Sequence, residues 1–408
     1  MKKFFIYSLS VLLLQGCMVA AKPYTPLLDG VGYLTTKDKP TDIPDTIKES
    51  LMTLTDEMIN HFLLEKENVF VSAPSLILAL AMTAQGAKDN TLDQMMDSMK
   101  LSDLPMDVVN EGLRALQLSM IQKTGIEFHL TNSIWIRDTF KERVLESFLE
   151  ANKTYYAPMI ASGDFNDPAM VDAINDWVSV ATRKKIKTAI DEPIHPLTQM
   201  FLINTLYFNG DWLIPFDKAN TAKDMFGSHS VDMMAIVENY LYTKQDSTQY
   251  IALPYKDSDV MMVIALRQDG KPTSMSQLVA SLTTMQSMKV DLKMPRVHTE
   301  LTLSANEFLK SIGMADAFDS SVANFDAMAT DATKTGLHIA NVTQKTFLAI
   351  DEKGTEAAAM TKVEMRDESM PMSDVIMHVN RPFTLMIYDP SMNIVYFAGY
   401  IQDPTGGK

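Results

Sequence analysis

The seven histidines, His61, His129, His195, His229, His298, His338 and His378, are the first residues to test for acid–base or metal chemistry. They lie scattered. No two share a metal-ligand spacing, so each reads as a surface or structural imidazole and no metal is expected. No G-x-S-x-G nucleophile elbow and no H-E-x-x-H pair is present, and the terminal TGGK lacks the strand, helix and hydroxyl residue that a phosphate cradle needs. The acidic residues are spread evenly, as on a solvated surface. The chain is therefore expected to turn nothing over and to use no cofactor. One segment does stand out. DEKGTEAAAMTKVEM, Asp351 to Met365, is a run of small, weakly anchored residues set between the strand patterns TFLAI and RPFTLMIYD.

The elements that must carry this segment follow from periodicity. DTIKESLMTLTDEMINHFLLEK predicts a helix capped by Asp45, NVFVS a short strand, PSLILALAMTAQGA a buried helix opened by Pro74, and NTLDQMMDSM a third helix. In EFHLTNSIWIR, residues Phe128, Leu130, Ile134 and Ile136 alternate onto one face of a half-buried strand. KERVLESFLEANK and VDAINDWVSVATRKKIK read as helices, FLINTLYFNG as a nearly continuous apolar strand, and the rest alternates strands with short helices. No repeat or low-complexity linker follows residue 45, which favours one mixed domain over two. The 408 residues, 46% of them hydrophobic, can bury a large core, and the 31 methionines fit it as flexible gap-fillers. A net charge of −15 with no dense basic run excludes nucleic acid as a partner.

The N-terminus carries a different chemistry. MKKFFIYSLSVLLLQGC places two lysines before an apolar run too short for a stable span, the pattern of a secretory signal. It closes on Leu14-Gln15-Gly16-Cys17, which resembles the bacterial lipobox, with residues 1–16 removed and Cys17 lipidated. Cys17 is the only cysteine in the chain, so no internal disulfide competes for it. The alternative is ordinary cleavage after Val19-Ala20-Ala21. Residues 17–44 are expected to be a lipidated N-terminus and tether, with four prolines from residue 22 onward, and 45–408 the folded domain.

Several ordered stretches together resemble the serpin family: NVFVSAPSLILALAMTAQGAKDNT, LTNSIWIRDTFK, INDWV, FLINTLYFNGDW, ALPYKD, LKSIGMADAF, DEKGTEAAAMT, RPFTLMIYD and IVYFAGYI. Two departures are visible. Ser72-Ala73-Pro74-Ser75 shifts the first proline by one position, and Gln344 stands where the family commonly has histidine. The resemblance implies an α+β serpin fold with three β-sheets and an exposed reactive-centre loop over about 352–374. It also implies a polar cluster of Ser72, Ser75, Asn204 and Gln344 beneath the sheet that opens. Glutamine donates and accepts, so the cluster stays satisfied without titrating.

By the same resemblance the loop is bait for a serine protease or a cysteine protease, and its cleaved arm inserts as a strand. The hinge would comprise Glu352, Gly354, Thr355, Glu356, Ala357, Ala358 and Ala359, with Gly354 supplying backbone freedom. Strand alternation turns Thr355, Ala357, Ala359, Thr361, Val363 and Met365 inward and Glu356, Ala358, Met360, Lys362 and Glu364 outward, so the charges stay outside. Family spacing from Glu352 puts the reactive bond at Glu368–Ser369, with Met365, Arg366 and Met372 as alternatives. Asp367 would face inward unpaired, which favours a cut between Met365 and Ser369. The expected molecule is a monomeric protease inhibitor exported across the inner membrane and lipid-anchored at the outer membrane or cell surface, or extracellular. The alternative is a non-inhibitory binding protein of the same fold whose loop is a substrate or silent.

Replacing the lone cysteine, Cys17→Ser, is expected to release the protein from membrane fractions. An intact mass matching an unlipidated chain that starts at Lys22 contradicts the anchor.

Overall fold

In the computed structural model, which describes residues 22–29, 34, 41–184, 187–190, 193–355 and 373–406, the apolar spacing of the first helix buries Ile47, Leu51, Leu54, Met58 and Phe62 on one side. The chain runs β1 (Tyr24–Asp29), α1 (Asp45–Phe62), β2 (Val69–Val71), α2 (Ala73–Ala84), α3 (Asp89–Ser98), α4 (Met106–Ile121), β3 (Ile126–Arg137), α5 (Glu146–Tyr155), β4 (Met159–Gly163), α6 (Ala169–Ala181) and β5 (Met200–Asp211). Then come β6 (Ala222–Phe226), β7 (His229–Gln245), β8 (Thr248–Pro254), β9 (Met261–Arg267), α7 (Met275–Ser281), β10 (Gln286–Pro295), β11 (Val297–Ser304), α8 (Asn306–Ser311), α9 (Ala332–Thr335), β12 (Ile339–Ile350) and β13 (Gly354–Thr355). Finally β14 (Val375–His378), β15 (Phe383–Asp389) and β16 (Ile394–Ile401) complete the order.

Two hydrogen-bonded sheets result, giving an α+β fold. Seven strands follow the order β1-β4-β3-β5-β13-β12-β11, and nine form the other sheet, β14-β10-β7-β8-β9-β15-β16-β2 with β6 beside β7. Three separate sheets were expected. The 17-residue β7 joins two of them, because its first residues pair with β6, its last with β8, and its middle with β10.

The central strands β3, β4 and β5 are buried on both faces, not half-buried as expected of β3, whereas the edge strands β1 and β11 mix buried and exposed residues. Ile134, Ile136, Met200 and Leu202 enter the main core, which contains all of the apolar residues of α2. Trp135, Ala161, Phe201 and Ile203 face the other way, against Met170, Ile174 and Val178, which recur every four residues on α6. The helix α6 stops at Ala181 rather than continuing through TRKKIK, since Arg183 and Lys184 adopt left-handed φ of 50° and 66°.

Two other expectations change. Asp45 is not a cap: Pro44 holds that position without a side-chain bond, and Asp45 instead pairs with Lys48 at 2.8 Å. Within the stretch expected to be tether, Tyr24–Asp29 is an edge strand antiparallel to β4, and the Tyr24 ring meets Trp135 edge-on at 5.1 Å. The prolines that argue against a strand are tolerated because β1 is at the edge and its pairing shifts between Pro26 and Leu28. The leader and Cys17 lie outside the described residues.

Candidate functional site

The top of the seven-stranded sheet is built by one tight reversal of the chain. β12 runs parallel to β5 from Ile339 opposite Met200 to Thr346 opposite Leu206. Beyond Ile350 the chain turns back: the Asp351 N–H donates to Gly354 O at 3.0 Å, and the Asp351 carboxylate accepts from the Lys353 and Gly354 N–H groups at 2.8 and 3.2 Å. The returning residues form β13 between β5 and β12, antiparallel to both, with Gly354 opposite Asp211 and Thr355 opposite Gly210 and Ile350. Two hinge residues therefore already occupy the sheet.

Three contacts hold them. The Thr355 side chain is buried, and its hydroxyl lies 2.7 Å from the hydroxyl of buried Tyr255. Burial pushes the Tyr255 phenol pKa well up, with the Thr355 bond acting against it, so the ring stays protonated and able to donate. Trp212 stacks on Tyr255 with ring centroids 4.9 Å apart, and grips the turn by donating its indole N–H to Asp351 O at 3.0 Å and its backbone N–H to Lys353 O at 2.8 Å. The third contact is steric. A Cβ on Gly354 would sit 2.1 Å from Gly210 O and 2.8 Å from Asp211 Cα. The φ of Gly354 is not in the left-handed region, and in this fold the glycine serves close strand approach.

Beside the turn, Glu352 is clamped. One of its carboxylate oxygens accepts from Arg296 Nη2 at 2.5 Å, Arg296 Nε at 2.9 Å and Thr221 Oγ1 at 2.6 Å, and Arg296 also approaches Asp232 at 3.5 Å. Burial raises the carboxyl pKa, but the hydrogen bonds from Arg296 and Thr221 outweigh it and hold Glu352 below the usual range.

The polar cluster sits halfway down, where α2 meets the sheet. Ser72 caps α2 by accepting from the Ser75 N–H at 3.2 Å. Gln344 accepts from the Ser72 N–H at 3.2 Å and donates to Ser72 O at 2.9 Å and Asn204 Oδ1 at 3.3 Å. Ser75 Oγ donates to Asn204 Oδ1 at 2.5 Å, and Asn204 donates to Ser75 O at 2.7 Å. Asn204 also donates to Asn132, its opposite number on β3. The four named residues are thus in one network. Gln344 and Asn204 lie opposite each other on β12 and β5 and tie the two strands together.

Asn132, Trp212, Thr221, Tyr255 and Arg296 are site residues that motif reading does not assign. Trp212 and Tyr255 lie inside FLINTLYFNGDW and ALPYKD, but nothing in those stretches reveals what they touch. Glu356, Ala357, Ala358, Ala359, Met365, Arg366, Glu368, Ser369 and Met372 lie outside the described residues. The far end of the segment rejoins the second sheet where Asp374 and Lys289 exchange bonds of 2.8 and 2.9 Å. Among the described residues no group of three or more His, Cys, Asp or Glu side chains could hold a metal ion, and no helix is long and apolar enough to cross a membrane.

Comparison with known proteins gives one consistent result. The family model described as Serpin (serine protease inhibitor) matches residues 49–404. Human antithrombin-III is 28% identical over 361 residues, covering 83% of this chain and 77% of that protein. An uncharacterized serpin-like protein of Methanosarcina acetivorans is 29% identical over 361 residues, covering 84% and 83%. Among solved structures, tengpin, a thermophilic serpin in its native state, superposes with a TM-score of 0.81 at 27% identity over 93% of this chain and 99% of that one. Human thyroxine-binding globulin with thyroxine has a TM-score of 0.77 at 24% identity, covering 88% and 99%, which shows likeness of fold alone.

Gly354→Ala is expected to drive β13 out of the sheet, because the added methyl meets backbone. Losing the Thr355–Tyr255 bond and leaving buried hydroxyls unpaired costs about 1–3 kcal/mol; the Trp212 contribution to fluorescence should change, and an unaltered spectrum contradicts the packing argument. Glu352 generates a pH prediction. Its folded pKa lies below its unfolded value, so its stabilisation is complete above the ordinary value of 4.5 and is lost as pH falls through the lowered value. Thermal stabilities of the wild type and Glu352→Gln should differ at pH 7 and converge in acid, and a gap that stays constant with pH contradicts the clamp.

Proposed function

The chain belongs to the serpin family, and on that premise we propose that it is an inhibitor that traps serine proteases, and cysteine proteases, through cleavage and insertion of the segment after Thr355. The observation that carries this reading is the position of β13. It enters the sheet antiparallel to β5 with its register already set, Thr355 opposite Gly210. Extending that register places Glu356, Ala357 and Ala358 opposite Asn209, Phe208 and Tyr207. The direct pairing of β5 with β12 ends at Leu206 and Thr346, so these three residues enter before any pair of that ladder breaks. Ala359, opposite Leu206, is the first that must displace β12, and a small residue does so at low steric cost.

The proposed chemistry belongs to the protease. Its serine or cysteine attacks the carbonyl before the scissile bond, forming an ester or thioester, while the C-terminal piece leaves as a free amine. Strand addition then draws the acyl-linked protease along the sheet before water can release it. The preferred bond is Glu368–Ser369, with Met365, Arg366 and Met372 as alternatives. The uncut fold persists behind a kinetic barrier, and the protein itself turns nothing over. The lipobox-like LQGC supports attachment of Cys17 to a bacterial envelope membrane.

Two experiments test the reading. Thr355 already sits in the sheet of the uncut protein, so Thr355→Arg is expected to start with β13 displaced. Its entry then has to bury a cation beside Tyr255 at a cost of several kcal/mol while hydrolysis competes, and each ~1.4 kcal/mol changes that competition tenfold. Against a protease panel, this variant should be cut at the wild-type bond yet release active protease without an SDS-stable complex. Glu356→Arg, one residue on and facing the other way, should still trap. Equal trapping, or equal failure, contradicts the alternation. Thermal melts of intact and loop-nicked protein form the second test: the nicked form should melt far higher, and equal melting temperatures favour the non-inhibitory alternative.

A further inference from the structure

The N-terminus and the bait segment leave the seven-stranded sheet at opposite ends. Tyr24 lies opposite Gly163, which lies opposite Arg137, and the next rung runs from Ile136 through Met200 to Ile339. This is the foot of the sheet. The bait segment departs after Thr355, level with Gly210 and Ile126. Ten residue steps of β5 separate Met200 from Gly210, about 33 Å of strand.

Tyr24 is fixed at the foot by its ladder pair and by the Trp135 ring, with the Lys22 ammonium 5.3 Å from its own ring. Only six residues, Met18 to Pro23, separate it from Cys17. Fully extended, seven Cα steps reach at most about 25 Å. The long tether over 17–44 is thus cut short by β1.

Resting on the reading that Cys17 carries lipid, we propose that the foot of the seven-stranded sheet is the face the molecule turns to a lipid bilayer, with the bait end pointing away. The foot's shape agrees. Leu197 is 72% exposed there, on a stretch tied to the end of β3 because Arg137 donates to Pro196 O at 2.7 Å and Thr198 O at 2.8 Å. An outward leucine on a tethered stretch suits the headgroup boundary. Among the described residues of the foot, Lys22 and Lys310 are offset by exposed Asp164, Asp167 and Glu307, so these charges do not select the lipid. Chain reach sets the orientation. An arm inserting from Thr355 to Met365 covers ten residues, so it carries an acyl-linked protease about 33 Å toward the membrane.

The test uses the full lipidated chain on phosphatidylcholine vesicles that carry an energy-transfer acceptor on the headgroups. A donor is placed at the foot (Leu197→Cys) or at the bait end (Lys256→Cys, exposed and bonded to Asp211 O at 2.8 Å). Transfer should be severalfold stronger from the foot. Inserting a flexible Gly-Ser linker of about 20 residues, with a span of about 25 Å, between Cys17 and Lys22 should abolish most of that difference. Equal transfer from both sites, or stronger transfer from Lys256→Cys, overturns the orientation while the anchor stands. A full chain that does not attach to vesicles overturns the anchor and the orientation together, whereas trapping of protease in solution is judged separately on the unanchored Cys17→Ser form.

Discussion

The pairing of β5 with β12 is the constraint on which the rest of the structure depends. These two strands are parallel, so no short link can join them, and the chain leaving the top of β12 has to travel away or fold back. It folds back. The Asp351–Gly354 reversal converts the end of one strand into the start of another that is antiparallel to both neighbours, and a sheet of six strands becomes one of seven at its top. The steric demand at Gly354, the Trp212–Tyr255 stack and the Glu352–Arg296 clamp all serve this reversal.

Below it, the same two strands are held closed from both sides. On the rear, α2 presents Ser72 and Ser75 to Gln344 and Asn204, so one helix end binds both strands. On the front, α6 packs over Phe201 and Ile203 of β5, with Phe347 of β12 against the same cluster. Parting the strands removes one ladder and strains both attachments. In the proposed insertion, an added strand would bond to two neighbours where one ladder was lost, so the same two strands would supply both the barrier and the driving force.

Much of this was legible in the sequence, and the reason differs from element to element. Alternation in EFHLTNSIWIR is a local signal that gave the strand and the face of Ile134 and Ile136, but it was read as half-buried, whereas Trp135 is buried on the other face under α6. The inward assignment of Thr355 came from the period of a strand together with the charges all falling on the other face. What could not be read were pairings across long separations: Arg296 with Glu352, Tyr255 with Thr355, Trp212 with Asp351. Neither partner advertises the other, because arginine, tyrosine and tryptophan are ordinary residues wherever they stand. β1 was missed for the opposite reason, since its prolines are a true local signal against strand that the sheet edge overrides.

The Thr355–Tyr255 bond has one more consequence, which concerns fidelity. A strand entering a sheet can slip, and slipping by one residue would turn Glu356, Lys362 and Glu364 into the core and Thr355, Ala357, Ala359 and Thr361 out of it. The polar link at Thr355, already formed in the uncut fold, opposes that error before Glu356 would enter. Threonine at 355 finds a buried phenol to bond. A glutamate shifted into its place would bring a charge beside Tyr255, where burial already disfavours ionisation. In the proposed insertion Tyr255 would thus act as a proofreader, its bond to Thr355 favouring one alignment that sets the face of each later residue.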